Sequence, residues 1–155
     1  MKKIFSLLSF ALFSVTVMAQ SDTAKYQNMK MNAGIITSKL AESKAFYTKV
    51  LGFDVVFENE FYLLLNAPGG HASLSFLLPN HPSQQPLFRK AFQGQGIYLT
   101  IEVEDVDKLY AVIKKKGVPI KIELRDEPWG DRHFAIEDPN GVGIDLVHYK
   151  APGTK

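Results

Sequence analysis

One order of signals runs twice through this chain of 155 residues, and no other feature restricts its fold as much. Each pass reads strand, helix, glycine, then three strands. In the first pass, residues 31–37 are strand-like, and Leu40, Ser43, Phe46, Tyr47, Val50 and Leu51 recur at helical spacing. Gly52 then stands where a glycine ends a helix. Strand-like runs follow at 53–58, 61–67 and 72–78, separated by a tight turn at Asn59-Glu60 and a break at Pro68-Gly69-Gly70. In the second pass, residues 97–103 are a strand and Asp105 is placed to cap a helix. Val106, Leu109, Tyr110 and Ile113 form its apolar stripe, and lysines at 114–116 suit the negative end of its dipole. Gly117 repeats the part of Gly52, and strands follow at 120–124, 132–137 and 142–148.

The pattern predicts an α+β fold of two βαβββ modules in a single domain over residues 31–150. Module one is 31–78, the Pro-, Gln- and Asn-rich linker is 79–96, and module two is 97–149. One such unit leaves a sheet face bare, whereas two can face each other and enclose a cleft. A cleft lined by strands is a natural small-molecule site. The sharpest local signal lies at its last hairpin. Asp138-Pro139-Asn140-Gly141 puts Pro where φ near −65° is wanted and Gly where φ can turn positive. Asp145, in the apolar strand beyond it, must be paired, exposed, or pointed at something that needs a negative oxygen.

Composition narrows the partners. Lys2-Lys3, the apolar run to Met18 and the small residues Val17 and Ala19 read as a signal peptide over 1–19, with a polar leader over 20–30. The apolar run is shorter than a spanning helix needs, so export with cleavage near Ala19, to the periplasm or outside, is expected instead of a membrane anchor. Losing Lys2 and Lys3 leaves 18 − 2 = 16 basic against 16 acidic residues, a balance that argues for neither nucleic acid nor an anionic surface. With no Cys there are no disulfides, thiol nucleophiles or Cys-ligated zinc.

Three segments, KLAESKAFYTKVLGFDV (39–55), VEDVDKL (103–109) and PWGDRHFAIEDPNGVGIDLV (128–147), resemble the vicinal oxygen chelate superfamily. That superfamily includes glyoxalase I, extradiol dioxygenases, and the fosfomycin- and bleomycin-resistance proteins. The resemblance implies paired βαβββ modules, usually assembled as homodimers, with a ligand between the sheets. In metal-dependent members, divalent iron, zinc, manganese or nickel is held by His, Gln or Glu near four strand positions. Carried over one at a time, those positions are Asn32, Ser75 (Ser73 being the other choice), Tyr98 and Asp145. A neutral amide, a hydroxyl, a phenol and one carboxylate make a poor site for a first-row metal. No cofactor is therefore expected, and a divalent metal is the alternative.

Without a metal, Asn32, Ser75, Tyr98 and Asp145 would bind a ligand through hydrogen bonds, or else form a buried structural network. Trp129 and Arg132 would wall the cleft; otherwise Trp129 packs on the hairpin and Arg132 pairs with Asp131 or Glu137. His71, His81, His133 and His148 read as surface or rim residues, and a His133–Asp145 pair requires the strand register to agree. Leu87, Phe88 and Phe92 would form a lid or a dimer seam. The function expected is reversible small-molecule binding in the manner of bleomycin-resistance proteins. The rivals are a metal-dependent glyoxalase-like lyase or dioxygenase using Asp145 as ligand or base, and a metal-free enzyme with Asp145 as general base.

Overall fold

Alternating apolar residues and well-placed breakers set every element. The computed structural model describes residues 30–150, so the expected signal peptide and all but the last residue of the leader lie outside the described residues. Module one consists of β1 (Asn32–Ile36), α1 (Leu40–Lys49), β2 (Asp54–Glu58), β3 (Tyr62–Asn66) and β4 (Ser73–Leu77). Module two consists of β5 (Tyr98–Glu102), α2 (Val106–Lys115), β6 (Ile122–Asp126), β7 (Asp131–Glu137) and β8 (Gly143–Tyr149). The linker contributes one 3-10 turn at Pro86–Phe88. β6 starts at Ile122, two residues later than its sequence pattern suggests, and its pairing with β7 is irregular between Ile122 and Arg125.

The chain is α+β, with two four-stranded sheets of one strand order: β1-β4-β3-β2 and β5-β8-β7-β6. In each, the first strand pairs in parallel with the last, and the other pairings are antiparallel. The registers therefore define equivalent positions. Asn32 faces Ser73 as Tyr98 faces Gly143; Gly34 faces Ser75 as Thr100 faces Asp145; Tyr62 faces Leu77 as His133 faces Val147.

Each sheet buries one face beneath its helix. In module one, Leu63 and Phe76 are paired in register, and Tyr47 of α1 lies against Phe76 with ring centroids 5.3 Å apart. In module two, Phe134 pairs with Leu146, and Tyr110 of α2 meets Phe134 edge-on at 5.2 Å. The large and small partners have exchanged strands while each pair remains one Phe and one Leu. All four are essentially sealed from solvent, and they belong to one core that runs through both modules.

The hairpin turn between β7 and β8 locks the modules together. Gly141 sits at φ +84°, and its N–H donates to the Asp138 carbonyl at 3.0 Å. The buried Asp138 carboxylate accepts from the backbone N–H groups of Asn140 (2.7 Å) and Val142 (2.9 Å). It also accepts from the hydroxyl of Tyr47, in α1 of the other module, at 3.2 Å. Asn140 donates to Ser43 of α1 at 2.9 Å and accepts from Thr37 at 2.7 Å, while Lys39 reaches the Pro139 carbonyl. Burial, with Asp138 close by, pushes the Tyr47 phenol far above its usual pKa, so it stays a donor. The turn thus closes a hairpin and also grips the neighbouring helix.

Candidate functional site

Strand alternation leaves the other face of each sheet free of its helix. In module one this face carries Asn32, Gly34, Leu64, Tyr62, Ser73 and Ser75. Its polar groups are neutral, and Ser73 donates to Asn66 at 2.7 Å. In module two the same face carries Tyr98, Thr100, Ala135, His133 and Asp145, with Arg125 of β6 facing His133. Here the polar groups are ionic.

His133 and Asp145 are diagonal neighbours across the β7–β8 ladder, because Ala135 faces Asp145 and His133 faces Val147. The register condition for their pairing is met. His133 Nδ1 lies 2.6 Å from Asp145 Oδ1, and His133 Nε2 lies 3.0 Å from Glu127 Oε1. Arg125 donates from Nε and Nη2 to the same Glu127 oxygen, each at 2.5 Å. Glu127 reaches this position because the chain folds back before β7. Its N–H donates to the Asp131 carbonyl at 2.8 Å, and Gly130 takes φ +107° to complete the turn. The result is one row: Arg125, Glu127, His133, Asp145.

The row is shielded at its centre and open at its ends. The His133 and Glu127 side chains are 13% and 9% exposed, against 29% for Asp145 and 59% for Arg125. Both imidazole nitrogens face carboxylates, which only accept when ionised, so the ring satisfies both partners when both nitrogens carry protons. Desolvation works against that charge, but the hydrogen bonds to Asp145 and Glu127 together outweigh it and raise the His133 pKa above its ordinary value. Hydrogen bonding to His133 holds the Glu127 carboxyl below its usual range; partial desolvation opposes this and Arg125 reinforces it. With both nitrogens engaged, His133 has no free lone pair for base catalysis.

The other site residues separate by face and by end. Tyr98 is 71% exposed and lies on the Asp145 face, two register positions along from it. Trp129 is also largely exposed, but its indole N–H donates to Asp131 at 2.8 Å, and Asp131 faces Tyr149 at the far end of β8. Tyr98 and Asp131 are thus separated along β8 by about 20 Å at ~3.3 Å per residue. Arg132 does not join them. Alternation turns it to the helix side, where it donates to Asp107 of α2 at 2.7 and 2.8 Å and to Asp126 at 2.9 Å. It is a staple between α2 and the sheet, and neither Asp131 nor Glu137 is its partner.

Asn32 and Ser75 share a face of the first sheet, as Tyr98 and Asp145 share one of the second. Two hollows, of about 160 and 360 Å3, lie along the linker and β1, and none of these four residues lines either. Neither of these two hollows gathers the four residues. The four do not fit a transition metal: Asn32, Ser75 and Tyr98 are weak donors, and His133 already engages the only carboxylate. Among the described residues, no group of three or more His, Asp or Glu side chains is arranged to hold an ion.

The sequence alone leaves His133 either a rim residue or a partner of Asp145, and gives Glu127 and Arg125 no role. Alternation from Asp145 through the hairpin would have placed His133 on its face. Nothing in the sequence showed that the Glu127 turn folds back over that strand. The remaining histidines with recorded partners have structural ones: His81 stacks on Phe61 at 3.8 Å, and His148 Nδ1 is 3.1 Å from the Val103 carbonyl.

The family model described as Glyoxalase/Bleomycin resistance protein/Dioxygenase superfamily matches residues 31–146. No curated protein is similar enough to this chain to count as a relative. Among solved structures, TnmS3, an antibiotic binding protein from Streptomyces sp. CB03234, is 22% identical, with a TM-score of 0.63 over 79% of this chain and 98% of its own. A lactoylglutathione lyase from Agrobacterium tumefaciens is 20% identical, with a TM-score of 0.64 over 83% of this chain and 98% of its own. A superfamily member from Sphaerobacter thermophilus DSM 20745 is 28% identical, with a TM-score of 0.61 over 77% of this chain and 96% of its own.

Proposed function

The chain belongs to the glyoxalase/bleomycin resistance protein/dioxygenase superfamily, and on that premise we propose that it binds a small molecule reversibly on the helix-free face of module two, without a transition metal. One observation carries the reading. Of the four positions where the fold's metal-dependent members place ligands, a single carboxylate remains, and His133 is hydrogen-bonded to it. Asp145 supplies acceptor oxygens and Tyr98 an exposed ring for stacking beside them. Fold alone does not choose between binding and catalysis, since an antibiotic binding protein and a lyase resemble the chain about equally. The side chains favour binding. The protein acts as an exported homodimer, periplasmic or secreted after cleavage near Ala19, and needs neither nucleic acid nor a membrane anchor.

Two measurements test this. Elemental analysis of protein purified without chelator should find no stoichiometric metal. A thermal-shift screen should yield a ligand whose affinity falls in Tyr98→Phe and Asp145→Asn while each variant keeps a cooperative melt. Near-stoichiometric iron, zinc, manganese or nickel that disappears in Asp145→Ala would replace binding by the metal-dependent lyase or dioxygenase reading.

A further inference from the structure

We infer that the imidazole of His133, and not a divalent ion, is the resident electropositive partner of Asp145, and that Glu127 and Arg125 are positioning residues that hold it there. Three features of the row support this. First, each ring nitrogen of His133 lies within hydrogen-bond distance of a different carboxylate, at 2.6 and 3.0 Å, so the ring is fixed in plane and in rotation from both sides. Second, Glu127 is itself fixed: Arg125 donates to it twice, and the backbone turn closed by Gly130 sets its approach. Third, the row belongs to one module. The equivalents of His133 and Asp145 in module one are Tyr62 and Ser75, so a general feature of the fold does not account for it.

An ion arriving at Asp145 would meet a carboxylate already paired with this imidazole through one oxygen. To take both oxygens it would have to displace His133; at the second oxygen alone it would gain one carboxylate donor with only neutral oxygens on offer from Asn32, Ser75 or Tyr98. The row also prepares Asp145 for a ligand. One carboxylate oxygen is taken, and no described residue donates to the other. On the small-molecule reading proposed above, that second oxygen is the acceptor for a ligand N–H or O–H, with its direction set by His133.

Nuclear magnetic resonance of the 15N-histidine-labelled full chain tests the assignment with no ligand present, so failure to find a ligand leaves it standing. The expected result is a strongly downfield, slowly exchanging ring N–H from His133 that is absent in Asp145→Asn. In Glu127→Gln this proton should exchange about tenfold faster, the size expected for loss of one charge-assisted hydrogen bond. Adding one equivalent of Zn2+, Ni2+ or Mn2+ should leave the resonance unchanged, with no stoichiometric heat of binding. If Asp145→Asn does not fold, the Glu127→Gln exchange rate decides. A wild-type protein without a protected His133 ring proton, or a Glu127→Gln variant exchanging at the wild-type rate, would overturn the inference while leaving small-molecule binding intact. Stoichiometric metal binding that removes the resonance would overturn both.

Discussion

The two modules use one topology for two purposes. Their buried faces are near copies: a Phe–Leu pair in register, with an aromatic ring from the covering helix laid on the Phe. Their helix-free faces differ at almost every matched position. Module one has Asn32, Gly34, Ser75 and Tyr62 where module two has Tyr98, Thr100, Asp145 and His133. The turns closing β3–β4 and β7–β8 differ as well. Both make the same closing backbone bond, Ala67 N–H to Ala72 in one and Asp138 N–H to Val142 in the other, yet only Asp138 extends a carboxylate to the opposite helix. A duplicated unit thus keeps what packing requires, while ionic chemistry is concentrated on one copy.

Substitutions at matched positions can break this comparison. The largest effects belong to the shared core. Phe76→Ala and Phe134→Ala should each lower stability by about 3–5 kcal/mol in urea titrations, because both rings are fully buried. Near-equal costs support an equivalent core; a module indifferent to the loss would refute it. Next comes the turn. Asp138→Ala strands two backbone donors, the Asn140 amide and a buried phenol, and should cost about 3 kcal/mol, whereas Ala67→Gly in the equivalent turn should cost about 1 kcal/mol.

A smaller contrast separates the helix-free faces. Ser75→Ala should change stability by about 0.5 kcal/mol or less, while Asp145→Asn should cost about 1–2 kcal/mol by removing the charge that faces His133. Equal costs would mean that the ionic row contributes nothing to module two. The pH dependence is smaller still. A raised His133 pKa contributes stability that is present in acid and is lost as pH rises through the folded-state value. A lowered Glu127 pKa contributes stability that is present above its unfolded value and is lost as pH falls. The urea midpoint should therefore pass through a maximum between these limits, and His133→Gln should flatten its alkaline side.

Much of this was legible beforehand, and the gaps have physical causes. Strand and helix periods, with glycines at 52, 117 and 141, were enough to give the repeated topology. Helical spacing put Tyr47 among core positions, though its hydroxyl bond to Asp138 depends on how the modules meet. The row along module two depends on a turn folding back over a strand, and Glu127 lies outside the alternation that would have flagged it. For Arg132 the sequence allows a cleft wall or an ion pair with Asp131 or Glu137; one step along β7 from His133 turns it toward α2, whose Asp107 is its partner.

The most direct test of the central claim is to map a screened ligand onto the assigned amide spectrum of the full chain. The account predicts shifts confined to β5, β7 and β8, centred on Thr100, His133 and Asp145, with Gly34, Leu64 and Ser75 unmoved. Shifts centred on the module-one face would contradict it.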